Sequence, residues 1–489
     1  MPLCKFWLIP SAVVGVLLPA AAAEVVDIGS RRELFVDHYL IDTLNDTRLE
    51  LNRPRDEGLV VRFDNPWELN FCGYCTVIKD GQTYRLYYRG LPAVKEEGEE
   101  DVVTCYAESK DGIQWNKPDL GLFEVQGTKQ NNVILANDGA AMHNFSPFLD
   151  TRPDVPANER YKAIAGLKSS GLLGYASPDG IHWTKLQKEP VLPSEAVSYN
   201  WKFDSQNVAF WSAAEERYLC YFRVGKDNFR RIARAESDNF LQWSTPELME
   251  YRRPQGEVPI THHYTNQTHP YFRAPHLSIA TAARFMPGRQ VISEGEAKAI
   301  GVDPRYVRDT SDAVFMTTRG GNSYDCTVLD SFIRAGIGIE NWVSRTNYPA
   351  LNVVQTGPTE MSLYTNQNYG QPTAHLRRYS MRLDGFISVR ADYDGGEMRT
   401  KPFRFSGKRL MMNFATSAAG GIRVEIQDAD GNPLKGFALE DAREQIGNEI
   451  ERPVSWQGGN DVSSLAGKPI RLRFVMNDAD LYAIRFAAE

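Results

Sequence analysis

The chain has 489 residues, 42% hydrophobic and 24% charged, a composition that excludes wholesale disorder. Lys and Arg number 55 against 62 Asp and Glu, a formal net charge of −7, with no basic block. Such a chain is a poor partner for nucleic acid or an anionic membrane surface.

Residues Met1–Ala23 carry one positive charge, Lys5, then an apolar run from Phe6 to Leu18 and the small residues Ala21, Ala22 and Ala23. This is the layout of a secretory signal cleaved near Ala23, and its apolar part is too short for a membrane span. A secreted or periplasmic product of about 466 residues is expected, long enough for two or three domains with a large core. Cys4 leaves with the signal, and Cys72, Cys75, Cys105, Cys220 and Cys326 are too scattered and odd in number for a disulfide framework. Cys72-Gly-Tyr-Cys75 has the spacing of a zinc half-site, but no second ligand pair matches it, and residues three apart on a strand face opposite sides.

Short alternating runs separated by Gly, Pro, Asn and Asp predict an all-β protein. Gly73–Ile78, Lys79-Asp-Gly-Gln82 and Tyr84–Tyr88 read as strand, turn and strand. Ser109-Lys-Asp-Gly-Ile-Gln-Trp115 then repeats as Ser177-Pro-Asp-Gly-Ile-His-Trp183, and more weakly as Ser237-Asp-Asn-Phe-Leu-Gln-Trp243 and Thr318-Arg-Gly-Gly-Asn-Ser-Tyr324. Each copy is a tight turn in the outer half of a sheet, with a hydroxyl bonding the turn backbone and an aromatic ring packing on the next sheet. The repeat spans roughly 60–80 residues, enough for a four-stranded propeller blade with long loops. Five units are counted, with first strands near Phe71, Asn144, Ser205, Thr268 and Met361. Second strands are expected over 84–88, 161–167, 218–224, 277–285 and 375–381. Residues 24–62 are expected to supply a strand that closes the ring of 24–383, on a blade the sequence does not specify. From about 384 to 489 the turn signature is lost and alternating strands such as Ile422–Ile426 and Ile470–Val475 predict an appended β-sandwich.

On the Ser-x-Asp-Gly-x-x-Trp turns, and on a propeller followed by a sandwich, residues 60–489 resemble the five-bladed β-propeller glycoside hydrolases of families 32 and 43. The chain looks most like divergent secreted bacterial proteins with a family 32 amino-terminal domain. The elements nearest the family motifs are Phe63-Asp-Asn-Pro-Trp-Glu68 and Phe203-Asp-Ser-Gln-Asn-Val208, and the family's Glu-Cys pair is absent. The resemblance implies a hydrolase acting on a plant or algal oligo- or polysaccharide.

Glycoside hydrolysis usually needs two carboxyl groups flanking the scissile bond. Residues entering the innermost strand of each blade converge at one mouth of a propeller. Read in order, the entrances are Glu68, His143-Asn144, Asp204, His269 and Glu360. Glu68 is the expected base or nucleophile (by analogy with blade one of the family), Asp204 the stabiliser and Glu360 the acid. His143, Asn144, Gln206, His269, Arg273, Asp312 and Arg319 are the expected substrate-binding set. Arg273 or Arg319 would meet a carboxylate or sulfate on an acidic sugar, or form an inter-blade salt bridge. Trp67, Tyr74 and Tyr264 would stack on sugar faces.

The segment Thr261–His276 holds four of the eight His residues, but offers no helix placing two of them four apart and no interleaved acid. It reads as a polar pocket wall or a loop, and no metal or cofactor is called for. The alternative to an enzyme is a non-catalytic glycan-binding or scaffold propeller, since fold does not determine function. Convergence of the three acids within about 5–10 Å would favour hydrolysis.

Overall fold

The computed structural model describes residues 25–91 and 102–488, so the expected signal Met1–Ala23 lies outside the described residues. Five sheets of four to six strands follow one another along the chain, and together they form a five-bladed propeller. Inner strands run Gly73–Asp80, Ser146–Leu149, Val208–Ser212 and His262–Tyr271 in blades one to four. In blade five the inner edge is the pair of short strands Tyr348–Pro349 and Val354–Gln355.

Second strands of blades one to four fall where the sequence places them, at Thr83–Gly90, Tyr161–Leu167, Arg217–Lys226 and Ala274–Met286. Blade five differs. Glu360–Gln367 is its second strand and His375–Arg382 its third, because Pro349 and the left-handed Asn352 (φ 75°) interrupt the inner strand and hide its period. That strand still closes the ring: Leu351 N donates to Cys75 O at 2.8 Å, and Val77 N donates to Leu351 O at 3.0 Å. The closing N-terminal strand is Arg55–Arg62, which pairs antiparallel with His375–Arg382 as the outer edge of blade five.

The repeated turns join the third strand of a blade to its outer edge. In blade one Ser109 Oγ accepts from the Asp111 and Gly112 amides, and Asp111 Oδ1 accepts from Ile113 and Gln114. Ser177 and Asp179 repeat this pattern, and Trp183 Nε1 donates back to Gly180 O at 3.1 Å. Gly112 and Gly180 have φ of 74° and 77°; in the third copy that left-handed position holds Phe240, at φ 68°. Its ring, fully buried among Phe148, Tyr218 and Trp243, offsets a backbone strain of about 1–2 kcal/mol.

Beyond the ring lies one hydrogen-bonded network of ten strands. Its spine is the antiparallel pair Arg409–Asp428 and Ile470–Ala487. Four of the ten, between Val26 and Leu51, come from the N-terminal segment assigned to the ring by sequence. Ile387–Ala391, for example, pairs with Thr47–Leu51, and the core gathers Phe35, Ile41, Phe405, Trp456, Phe474 and Phe486.

Buried charges join this sheet to the ring. Arg319 pairs with Glu33 and Asp37 at 2.8 and 2.7 Å, and His276 Nε2 lies 3.1 Å from Glu33. Burial opposes the Glu33 charge, but His276, Arg319 and Arg31 more than offset it and hold its pKa at about 2. A depressed carboxyl pKa stabilises the fold above the unfolded value of 4.5, and the gain is lost as pH falls through the folded value. Stability should therefore drop by about 3 kcal/mol between roughly pH 5 and pH 2, and Glu33→Gln should flatten that part of a pH–stability curve. An unchanged acid limb in the variant would contradict the assignment.

The described cysteines are unpaired and buried. Cys72 and Cys75 share one core, because a bulge between Gly73 and Thr76 adds a residue that breaks the alternation.

Candidate functional site: the mouth of the ring

Midway along the axis, one polar set touches all five blades. Gln206 Nε2 donates to Thr76 Oγ1 (2.9 Å) and Ser146 Oγ (3.1 Å). Gln267 Nε2 donates to Gln206 Oε1 (2.6 Å) and Pro349 O (2.9 Å). These side chains are fully buried and plug the ring. Tyr74, Asn144 and Asp204, each two positions before the plug residue of its blade, enter the mouth, where Arg89 meets Tyr74 and Asn144 and Arg223 meets Asp204. In blade four the residue above the plug is Tyr264, three before Gln267, because the strand bulges between His263 and Asn266. Tyr348 takes the place in blade five.

Around these entrances stand four arginines. Arg89 ends the second strand of blade one opposite Gly73, 4.7 Å from the Tyr74 ring centroid, and bonds Asn144 Oδ1 (3.2 Å) and Tyr369 OH (2.5 Å). Arg223 lies 4.7 Å from the Tyr264 ring and donates to Asp204 Oδ2 at 2.7 Å. Arg230 and Arg345 approach the same ring at 4.9 and 5.3 Å. Tyr74, Phe203 and Arg345 all hold left-handed φ, between 52° and 66°. Such outliers in residues with a Cβ collect where side-chain aim outweighs backbone ease.

At the rim Trp201 is 47% exposed, its ring against Gly225, where a Cβ would come within 2.6 Å of it. A cavity of about 10 Å³, room for one oxygen-sized group, opens in the floor between Tyr74, Arg345, Tyr348, Asn366 and Tyr369.

Of the expected site residues, the mouth collects His143, Asn144 and Asp204, with Tyr74 and Tyr264; Gln206 lies one layer below, in the plug. Glu68 is elsewhere. It is fully buried beside blade one, accepting from Lys117 Nζ (2.7 Å), Tyr88 OH (2.5 Å) and the Asn65 amide (3.0 Å), because the entrance of blade one is Tyr74, six residues later. Trp67 likewise points inward, donating to Asn132 Oδ1.

Glu360 starts the second strand of blade five and pairs with Arg378 and Thr356. Asn366, six residues along at about 3.3 Å each, is at the mouth, so Glu360 lies about 20 Å away at the opposite end. The three acids are thus not one catalytic set.

His269 sits below the plug, because blade four starts at His262 rather than Thr268. Its Nδ1–H donates to Gln267 O and its Nε2 accepts from the Val353 amide; burial lowers its pKa to about 4. Arg273 and Arg319 bind acids of the second sheet and of the segment before it, and Asp312 binds Arg284 within blade four. Thr261–His276 is mostly this inner strand and the turn after it, and Thr268, His269, Pro270, Phe272 and Pro275 line a cavity below the plug, while His263 is buried against Tyr251 and His276 lies against Glu33.

Glu360→Gln should accordingly leave glycan cleavage and binding unchanged. Glu68→Gln should lower stability by about 1–3 kcal/mol, read by thermal melting, by unpairing a buried acceptor set. A Glu360 variant that lost activity at unchanged stability would contradict this placement.

A cavity of about 620 Å³ lies at the other end of the axis. Its walls are mainly apolar, with Phe148, Phe210, Leu351 and Val353 among them, and among the described residues no Asp or Glu lines it.

No family model matches the sequence, and no curated protein matches it. Solved structures similar to the chain include glycoside hydrolases. BT0996 in an RGII complex has a TM-score of 0.44 at 11% identity, over 68% of this chain and 92% of that one. A fructofuranosidase from Schwanniomyces occidentalis complexed with fructosylnystose gives 0.41 at 10%, over 87% and 97%. The catalytic domain of the Coprinopsis cinerea GH62 alpha-L-arabinofuranosidase gives 0.41 at 10%, over 68% and 97%.

Proposed function

We propose that the chain is an exported glycoside hydrolase that works at the mouth of the ring, with Asp204 as the acid or base of bond cleavage. The observation that carries this reading is the blind cup above the plug. One solvent-facing carboxylate, its side chain 63% exposed, stands over a floor of tyrosine rings and amide donors, with an exposed tryptophan at the rim. Rings stack on the apolar faces of sugars, polar side chains bond the hydroxyls, and a positioned carboxyl moves the proton. Arg223 holds Asp204 from one side and leaves the rest of the carboxyl open.

Screening the mature chain on a glycan panel tests the reading, with Asp204→Asn beside it: the wild type should release sugar from at least one glycan and the variant should not. N-terminal sequencing of exported protein should begin after Ala23; retention of Met1 would contradict export.

A second reading, a ring that binds glycan without cleaving it, is favoured by one observation. Among the described residues Asp204 is the only acid the structure places within this cluster, whereas hydrolysis usually uses two. Glycan binding by the wild type with no cleavage of any panel member would establish it.

A further inference from the structure

We propose that the mouth selects an acidic glycan, using its arginines to receive the anionic group, a carboxylate or a sulfate, of one sugar unit. The inference rests on the mouth being the glycan site. Arg223 and Arg230 stand beside a single described carboxylate, in a chain whose overall charge is negative. A neutral sugar offers no charge to meet the second guanidinium.

The donors are built in rather than lying loosely on the surface. Arg223 is 2% exposed; one of its nitrogens meets Asp204, while Nε and NH1 are buried and unpartnered. Asn144 Nδ2 and Tyr348 OH are likewise buried and unpartnered. Buried polar atoms nearly always find a partner, and leaving a charged donor without one is costly. Arg230 has no carboxylate partner among the described residues; its guanidinium is held by the faces of Tyr264, Phe285 and Trp201, at 4.9, 4.8 and 5.6 Å. Ring faces fix a guanidinium in place without occupying its in-plane donors, leaving the planar fork that matches a carboxylate or sulfate edge. Burial and the neighbouring Arg223 charge both disfavour the charged form of Arg230, a repulsion that a bound anion would relieve.

Calorimetric titration of the whole mature chain separates the cases with four probes: an oligogalacturonate, its methyl ester, a sulfated galacto-oligosaccharide and a neutral galacto-oligosaccharide. One of the charged probes should bind about tenfold or more tightly than its uncharged counterpart, and whichever it is names the anion as carboxylate or sulfate. Arg230→Gln and Arg223→Gln should each remove that preference while leaving the weaker affinity for the uncharged probe in place. Two substitutions are used because Arg223 is fully buried and its loss can unsettle the fold, whereas Arg230 is half-buried and makes no ion pair among the described residues, so Arg230→Gln should melt close to the wild type. Equal affinity for charged and uncharged probes, or an Arg230→Gln that weakens both alike, would overturn the acidic preference and leave the glycan reading standing. Binding of none of these probes or of the glycan panel would overturn both.

Discussion

Asp204→Asn lowers the rate of glycan cleavage by about 10²–10⁴-fold and leaves melting within a few degrees of the wild type. The size is that of a lost acid or base at a positioned proton transfer. The fold should tolerate the change because the carboxylate is largely exposed and makes one ion pair, to Arg223. Asparagine keeps an oxygen for that bond and nearly the same shape. Initial rates on the best panel substrate, set beside a thermal melt, read both effects together. A rate within about threefold of the wild type would remove Asp204 from the chemistry and favour a binding ring.

Asp384→Ala is expected to cost about 3–5 kcal/mol of stability. Asp384 is fully buried where ring and second sheet meet, and four groups converge on it. Tyr271 OH donates at 2.8 Å, Asn413 Nδ2 at 2.9 Å and Arg32 NH1 at 3.3 Å, while Arg273 Nε stands 3.5 Å away. Without the carboxylate, two arginines remain in a low-dielectric interior with only Glu451, at 3.1 and 3.8 Å, to share. Removing one member of a buried charge set costs more than the set contributes, because the remaining charge has lost its water as well as its partner. Denaturant unfolding measures the loss, and a value below about 1 kcal/mol would mean that water reaches the interface.

The parts of this fold that were legible are those whose cause is local. Ser109, Asp111, Gly112, Ile113 and Gln114 build their turn from one another, with Trp115 after them packing on Tyr364, so seven residues suffice to announce a blade. The start of blade four was not legible. Thr261 to Thr268 is polar enough to read as loop, yet Tyr264 to Thr268 is buried, because at the axis of a ring hydrogen bonds between blades replace apolar packing. Misplacing that start moved the expected entrance from Tyr264 to His269, and the broken inner strand at Pro349 moved the next one to Glu360. The N-terminal strands gave no local hint of their destination, since Thr47–Leu51 pairs with residues more than 330 positions away.

Part of the arginine cluster does have a signature. Tyr87-Tyr88-Arg89-Gly90 and Tyr221-Phe222-Arg223-Val224 close the second strands of blades one and three, each with two aromatics before an arginine. Read as a repeat, they would have pointed to the mouth. Arg345 has no such mark; its place depends on a left-handed backbone and on contacts with Tyr306 and Tyr369 that only the folded ring supplies.

The central claim is that the working face is the cup above the Gln206–Gln267 plug, and a crystal of Asp204→Asn soaked with the best-bound oligosaccharide tests it directly. Sugar density between Arg223, Tyr74 and Trp201 is the predicted result. Density in the 620 Å³ cavity beneath the plug, with the arginine mouth empty, would contradict it.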